Sequence, residues 1–137
     1  MRKLFVNRRV ITPDSNGLDE NQLLDQANKI VEINDRIKQG QSSIKRHVSN
    51  NFKVLSGAEV NIMKDGSLDV LNALDKLDLV RAAVHSNFAQ PIDVQTNRLI
   101  KAAMNPSVDI IFHPTDRRIN KREGYPVDIQ KQASGGG

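Results

Sequence analysis

The sequence predicts an α/β fold in which parallel strands alternate with helices. Four short apolar runs, each of the length expected for a buried strand, are spread along the chain. The segments between these runs carry apolar residues at helical spacing or are rich in turn-forming residues. The resulting order of strand, helix, strand, helix, strand, helix and strand is typical of a parallel sheet covered by helices, or of part of a barrel.

The first predicted strand and the first predicted helix occupy the N-terminal third. The strand is predicted over residues 4–6, and the helix begins at Asp19, because Asp19 and Gln22 have the spacing of a capping box. Residues 40–51 form a polar loop whose histidine, His47, is expected to be solvated. The buried stripe of the helix is predicted to comprise Leu23, Leu24, Ala27, Ile30, Val31 and Ile37.

The second strand is predicted over residues 52–63, with an interruption at Ser56 and Gly57. Residues 64–67 have the composition of a tight turn. A short helix is predicted over residues 70–77.

The third strand, residues 79–84, has apolar residues on both faces, as expected in a sheet covered by helices. The next helix is predicted over residues 93–104, followed by a fourth strand over residues 108–112 and a last short helix from Asp128. The inward positions of the helix over residues 93–104 are predicted to be Val94, Leu99, Ile100 and Ala103.

Length and composition indicate one soluble domain. The 137 residues suit a single domain over residues 1–131, followed by a flexible glycine-rich tail over residues 132–137. Cysteine is absent, which excludes disulfides and thiolate metal sites and suits the reducing cytoplasm. No apolar run reaches the roughly 18 residues that a membrane helix needs. We therefore expect a cytoplasmic protein without a membrane partner.

The net charge of +4 comes with clustered basic residues, which can neutralise phosphates. A solvated basic surface is an equally good explanation. Aromatic residues make up only 4% of the chain, which argues against a platform that stacks bases.

Three metal-competent side chains stand where apolar runs end. They are Glu59, His85 and His113. Because the C-terminal ends of parallel strands meet at one edge of a sheet, we expect these side chains to converge. One carboxylate and two neutral imidazoles suit a Zn, Mn or Fe ion. The alternatives are an ion pair with Arg or Lys for Glu59, and a hydrogen-bonded structural imidazole for each histidine.

Four motifs follow one another around these positions: residues 57–62 (GAEVNI), 65–69 (DGSLD), 77–86 (LDLVRAAVHS) and 105–115 (NPSVDIIFHPT). Together they resemble the C-terminal PHP (polymerase and histidinol phosphatase) domain of bacterial and archaeal family X DNA polymerases. The resemblance covers roughly residues 17–130.

The resemblance implies a distorted (β/α)7 barrel, of which this chain would form part, and a trinuclear metal site. It also implies a manganese-dependent phosphoesterase, usually a 3′-5′ exonuclease that works on DNA ends in repair. Glu59 would bridge metals, and His85 and His113 would be ligands, so that these three residues form the catalytic site. The implied partners are DNA 3′ ends and a polymerase domain or a second copy of the chain.

The chain departs from the family pattern in several motifs. The opening His-x-His motif and the final Asp-x-His motif are not found, and Asn7 and Arg8 stand where two further ligands are expected. Arginine has no lone pair with which to bind a metal. Asp116 replaces a residue that is more often glycine, and is expected to perturb its loop. Arg117 and Arg122 are candidate contacts to a DNA phosphate, with a solvated loop as the equal alternative.

These departures leave it open whether the chain is an enzyme. The first hypothesis is an incomplete phosphoesterase domain. The second is a catalytically inactive structural or DNA-binding remnant of that domain. A third, weaker hypothesis is a phosphatase that acts on a small phosphomonoester.

Overall fold

The computed structural model describes the backbone of residues 3–9 and, with their side chains, residues 18–40, 52–117, 121 and 123–131. The predicted loop with His47 and the predicted tail over residues 132–137 lie outside the described residues. The elements are β1 (Lys3–Arg9), α1 (Glu20–Lys38), β2 (Lys53–Asn61), a 3₁₀ turn (Leu74–Lys76), β3 (Leu79–Ala83), α2 (Ile92–Ala103) and β4 (Ile110–Ile111).

The described strands form one parallel sheet in the order β1-β2-β3-β4. The α/β class and the parallel arrangement predicted from the sequence are therefore confirmed. One register row crosses the whole sheet, through Arg9, Glu59, Arg81 and Ile110. Since paired positions of neighbouring strands lie on the same face, Arg81 of β3 lies beside Glu59.

Helix α1 begins as the sequence predicts. Asp19 Oδ1 accepts a hydrogen bond from the Gln22 N–H at 2.8 Å, and Gln22 Oε1 accepts one from the Asp19 N–H at 3.0 Å. The predicted burial of Val31 is wrong, because its side chain is 58% exposed. The inward face instead includes Asn34, whose side chain bonds both the N–H and the C=O of Val54 in β2.

Strand β2 runs without the predicted interruption. Gly57 pairs with both neighbouring strands, and Ser56 N–H and Oγ–H donate to the carboxylate of Asp78. The predicted helix over residues 70–77 is reduced to the 3₁₀ turn at Leu74–Lys76. The amides of Lys76 and Leu77 donate to carbonyls three residues back, at Ala73 and Leu74, which is the pattern of a 3₁₀ turn and not of an α-helix.

Helix α2 buries a more polar face than the sequence predicts. Leu99 is fully buried as expected, whereas Val94 is 38% exposed, which contradicts its predicted inward position. Arg98 lies inward instead, and its guanidinium donates to the carbonyls of Met63, Ile62 and Ser86. Strand β4 is shorter than predicted, because only Ile110–Ile111 pairs with β3.

The core lies between the sheet and the helices. A final helical turn forms at residues 129–131, where Asp128 Oδ1 accepts from the Lys131 N–H. Among the described residues, no helix is both long and apolar enough to cross a membrane. The largest fully buried apolar side chains of the core are Leu23, Val60, Ile62, Val80, Val84 and Leu99.

Candidate metal centre

The three side chains singled out in the sequence meet at the C-terminal edge of the sheet. Glu59 lies near the end of β2, while His85 and His113 each follow the last residue of a strand by two positions. His85 Nε2 lies 2.9 Å from Glu59 Oε1, and His113 Nε2 lies 3.6 Å from the same oxygen. The structure therefore brings together the three residues that the sequence predicted to converge.

The spacing of these atoms suits a common ion. One ligand atom from each residue can be chosen so that all lie within 4.8 Å of one another. Ligands bound at about 2.0–2.2 Å in tetrahedral or octahedral geometry are separated by roughly 3–4.4 Å. One carboxylate oxygen and two imidazole nitrogens also form a donor set that divalent transition metals accept. The donor chemistry thus fits a divalent ion, and the ligand atoms, within 4.8 Å of one another, lie slightly wider apart than they would around a bound ion.

His85 is held in place by its backbone and by its neighbours. Asn61 Oδ1 accepts from the His85 N–H at 3.1 Å, and the Asn61 N–H donates to Asp69 Oδ1 at 2.9 Å. Burial raises the pKa of the Asp69 carboxyl, although the hydrogen bond that this carboxyl accepts from the Asn61 N–H opposes the shift. Arg98 fixes the following residue by donating to the Ser86 carbonyl. The segment that carries His85 is therefore anchored on both sides.

His113 lies at the start of a tight turn. The Asp116 N–H donates to the His113 carbonyl at 2.8 Å, and both residues have positive φ angles, +36° and +47°. The Asp116 side chain is 10% exposed, and its Oδ1 lies 3.7 Å from His113 Nδ1. Asp116 therefore does not belong to the triad of Glu59, His85 and His113. Its carboxylate faces His113 Nδ1, whereas Glu59 faces His113 Nε2.

Arg81 is a further neighbour of the site, which the strand-end pattern of the sequence does not reveal. It pairs with Glu59 across β2 and β3, and its Nη2 lies 3.8 Å from Glu59 Oε2. The guanidinium carbon lies 4.8 Å from the centre of the Phe112 ring. A single arginine within the otherwise apolar third strand was the signal that could have revealed it. An ion pair with arginine was the alternative to metal binding for Glu59. Glu59 forms this ion pair through Oε2, while its Oε1 faces the two histidines.

The remaining predicted positions lie around this edge. Arg117 follows the His113 turn and is exposed, whereas Arg122 lies outside the described residues. Asn7 and Arg8 pair with Gly57 and Ala58 on β2, so their backbone reaches the same end of the sheet as Glu59. These are the two positions at which the family pattern has further ligands. Their backbone lies next to the strand that carries Glu59.

Comparison with known proteins gives two kinds of relative, and no family model matches the chain. The chain is 39% identical over 118 residues to the DNA polymerase/3′-5′ exonuclease PolX of Bacillus subtilis (strain 168), which covers 85% of this chain and 19% of that protein. It is 42% identical over 84 residues to a probable phosphatase of Thermoanaerobacter sp. (strain X514), and 38% identical over 84 residues to one of Caldanaerobacter subterraneus subsp. tengcongensis.

The matched segments are small parts of these relatives. Each phosphatase match covers 58% of this chain, and 32% and 31% of the two phosphatases. The chain thus spans about a fifth of the polymerase and about a third of each phosphatase. Relatives of both kinds agree with the resemblance carried by the strand-end motifs: this chain is a relative of the PHP domain of bacterial family X DNA polymerases.

Proposed function

We propose that this chain is a metal-dependent phosphoesterase domain that acts as a 3′-5′ exonuclease on DNA ends. The observation that carries the proposal is the convergence of Glu59, His85 and His113 from three consecutive strands. Relatives described as a 3′-5′ exonuclease and as probable phosphatases support hydrolysis of phosphate esters as the reaction class.

In this proposal the three side chains hold a divalent ion, manganese being favoured over zinc or iron. Such an ion activates water and neutralises charge on the phosphoryl group. Glu59 supplies a buried anionic oxygen, which both histidines approach. The two imidazoles bind through neutral nitrogen, and so leave the positive charge of the ion available to the phosphate. Arg117, which is exposed beside the His113 turn, is proposed to contact a DNA phosphate, and Arg122 is proposed to assist it.

The fold proposal is that residues 1–131 form part of a (β/α)7 barrel. The parallel strands follow one another in sequence order without a reversal, as they do in barrels and unlike doubly wound sheets. A cytoplasmic role in DNA repair, beside a polymerase domain or a second copy of the chain, belongs to the same proposal.

The second candidate is a catalytically inactive DNA-binding remnant. Arg81 favours it, because a guanidinium already lies beside Glu59 and balances part of its charge without a metal. The net charge of +4 would then supply a nonspecific affinity for DNA.

Hydrolysis by the purified chain tests the proposal. A 5′-labelled DNA single strand is incubated with Mn²⁺, and we expect it to shorten from its 3′ end. Glu59→Gln should lower the rate on the order of 100-fold or more, because it removes the anionic ligand. Glu32→Gln, on the exposed side of α1, is the matched control and should leave the rate unchanged.

Two other outcomes would each support one of the alternative functions. Retention of DNA that weakens steeply with salt, with no cleavage and no bound metal, would overturn the phosphoesterase in favour of the binding remnant. Hydrolysis of p-nitrophenyl phosphate without any cleavage of DNA would instead identify a phosphatase of small phosphomonoesters.

A further inference from the structure

We propose that Asp116 is a positioning residue for His113, and that it holds the ring with its proton on Nδ1 and its Nε2 lone pair towards Glu59. This inference rests on the proposed metal centre and assigns a new role within it. Asp116 binds no metal in this proposal, because its carboxylate faces Nδ1 and the candidate ion lies on the side of Nε2.

The positions of the two ring nitrogens give the first argument. His113 Nε2 lies 3.6 Å from Glu59 Oε1, while His113 Nδ1 lies 3.7 Å from Asp116 Oδ1. A neutral imidazole carries one proton, so a carboxylate at Nδ1 selects the tautomer whose Nε2 is free to bind an ion. The 3.7 Å separation exceeds a hydrogen bond, so the proposal requires the two side chains to approach each other further. Carboxylates placed in this way orient metal-binding histidines and raise their basicity.

The backbone gives the second argument. Asp116 has φ +47°, in the region that favours glycine, and its carboxylate is nevertheless buried within the turn. The turn is fixed from outside, because the Tyr125 N–H donates to the Thr115 carbonyl and Gly124 packs directly on Thr115. A glycine at position 116 would suit this backbone better. The aspartate therefore stands in a backbone conformation that favours glycine, with its carboxylate turned towards the His113 ring.

Asp116→Gly separates a positioning role from a structural one. The variant relieves the positive φ, so the thermal midpoint of the metal-free chain should rise. Its affinity for Zn²⁺, measured by competition with a chelator, should fall about 10- to 100-fold. Asn87→Gly is the matched control, because Asn87 is exposed at φ +54° and has no contact with the triad through its side chain. It should bind Zn²⁺ as the native chain does.

The conservative variant and a spectroscopic readout complete the test. Asp116→Asn keeps an oxygen acceptor without the charge, and should bind Zn²⁺ with an affinity between those of the native chain and Asp116→Gly. Nitrogen-15 NMR of the metal-free native chain should show His113 with its proton on Nδ1, and Asp116→Gly should lose this preference.

Three results would overturn the inference. They are an unchanged Zn²⁺ affinity in Asp116→Gly, a fall of both affinity and thermal midpoint in that variant, and a native His113 protonated at Nε2. If the native chain binds no metal at all, the proposed function fails. The tautomer of His113 in the metal-free chain then still decides the role of Asp116.

Discussion

The two carboxylate oxygens of Glu59 face different surroundings. Oε1 lies near the Nε2 atoms of His85 and His113, whereas Oε2 lies near the guanidinium of Arg81. Both Glu59 and Arg81 are largely buried, so their charges act on each other with little screening by water. Arg81 thus stabilises the metal-free carboxylate, and its positive charge opposes a divalent ion a few ångströms away.

Replacing Arg81 with leucine should therefore change the metal-free and the metal-bound protein in opposite directions. The metal-free variant should lose about 1–3 kcal/mol of unfolding free energy, because a buried carboxylate loses its cationic neighbour. Its affinity for Mn²⁺ or Zn²⁺ should rise on the order of tenfold, because the repulsion between two cations is removed. Urea unfolding and isothermal titration calorimetry measure the two effects.

Arg36→Leu on the exposed face of α1 serves as the control for the loss of one positive charge. It should leave both quantities nearly unchanged. A metal affinity that falls in Arg81→Leu would contradict the opposing role of Arg81 and would place it among the groups that support the ion.

At the scale of elements, one carboxylate joins the beginnings of β2 and β3. Asp78 accepts hydrogen bonds from the Ser56 N–H at 2.9 Å and the Ser56 hydroxyl at 3.0 Å, and pairs with Lys53 Nζ at 2.7 Å. The Asp78 N–H lies 3.0 Å from the Ser56 carbonyl and 3.1 Å from its hydroxyl oxygen, and donates to them in return. Burial alone would raise the pKa of Asp78, but its bonds to Lys53 and Ser56 outweigh burial and lower it.

This lowered pKa predicts an acid-sensitive link between the two strands. A carboxyl whose pKa falls on folding adds stability above its unfolded pKa, and that stability is lost as the pH drops through the folded pKa. Asp78→Ala should cost about 1–3 kcal/mol at pH 7, through the lost charged hydrogen bonds, and less at pH 3, because the unfolded chain already binds a proton there. Urea unfolding at the two pH values measures the difference.

Asp25→Ala is the control for Asp78→Ala, since Asp25 and its partner Lys29 are both highly exposed. Exposed pairs of this kind contribute little at either pH. A cost for Asp78→Ala that stays constant between pH 7 and pH 3 would show that the charge of Asp78 is not what links the strands.

Elements were predictable from the sequence where local chemistry decides them. The capping box of Asp19 and Gln22 fixed the start of α1, and the apolar run before His85 indicated β3. Elements were missed where contacts from outside a segment help to set its backbone. The Glu20 carboxylate, far away in sequence, accepts from the amides of Leu71 and Asn72, and the amides of Lys76 and Leu77 then close a 3₁₀ turn where a helix was predicted. No periodicity within residues 70–77 carries that information.

The residues of the candidate site, too, were predictable only in part. The convergence of Glu59, His85 and His113 followed from strand ends that meet at one edge, which is a property of parallel sheets. The neighbours of the site could not be predicted, because their positions depend on strand register and turn geometry. Arg81 faces Glu59 because β2 and β3 pair in one particular register, and Asp116 faces His113 across a turn in which both residues have positive φ.

At the scale of the whole molecule, the triad joins segments that are far apart in the chain. Glu59 belongs to β2, and the two histidines follow β3 and β4. An ion held by all three would bind the folded chain and have no comparable site in the unfolded one. Metal binding should therefore be coupled to the stability of the entire sheet.

We accordingly expect Mn²⁺ or Zn²⁺ to raise the thermal midpoint of the chain. At a metal concentration about 100 times the dissociation constant, the gain in unfolding free energy is about 2.7 kcal/mol, which corresponds to a shift on the order of 10 °C. Excess chelator should reverse the shift, and Glu59→Gln should show little of it. An equal shift in Glu59→Gln would mean that the metal stabilises the chain elsewhere, because Glu59 Oε1 is the atom that both histidines approach.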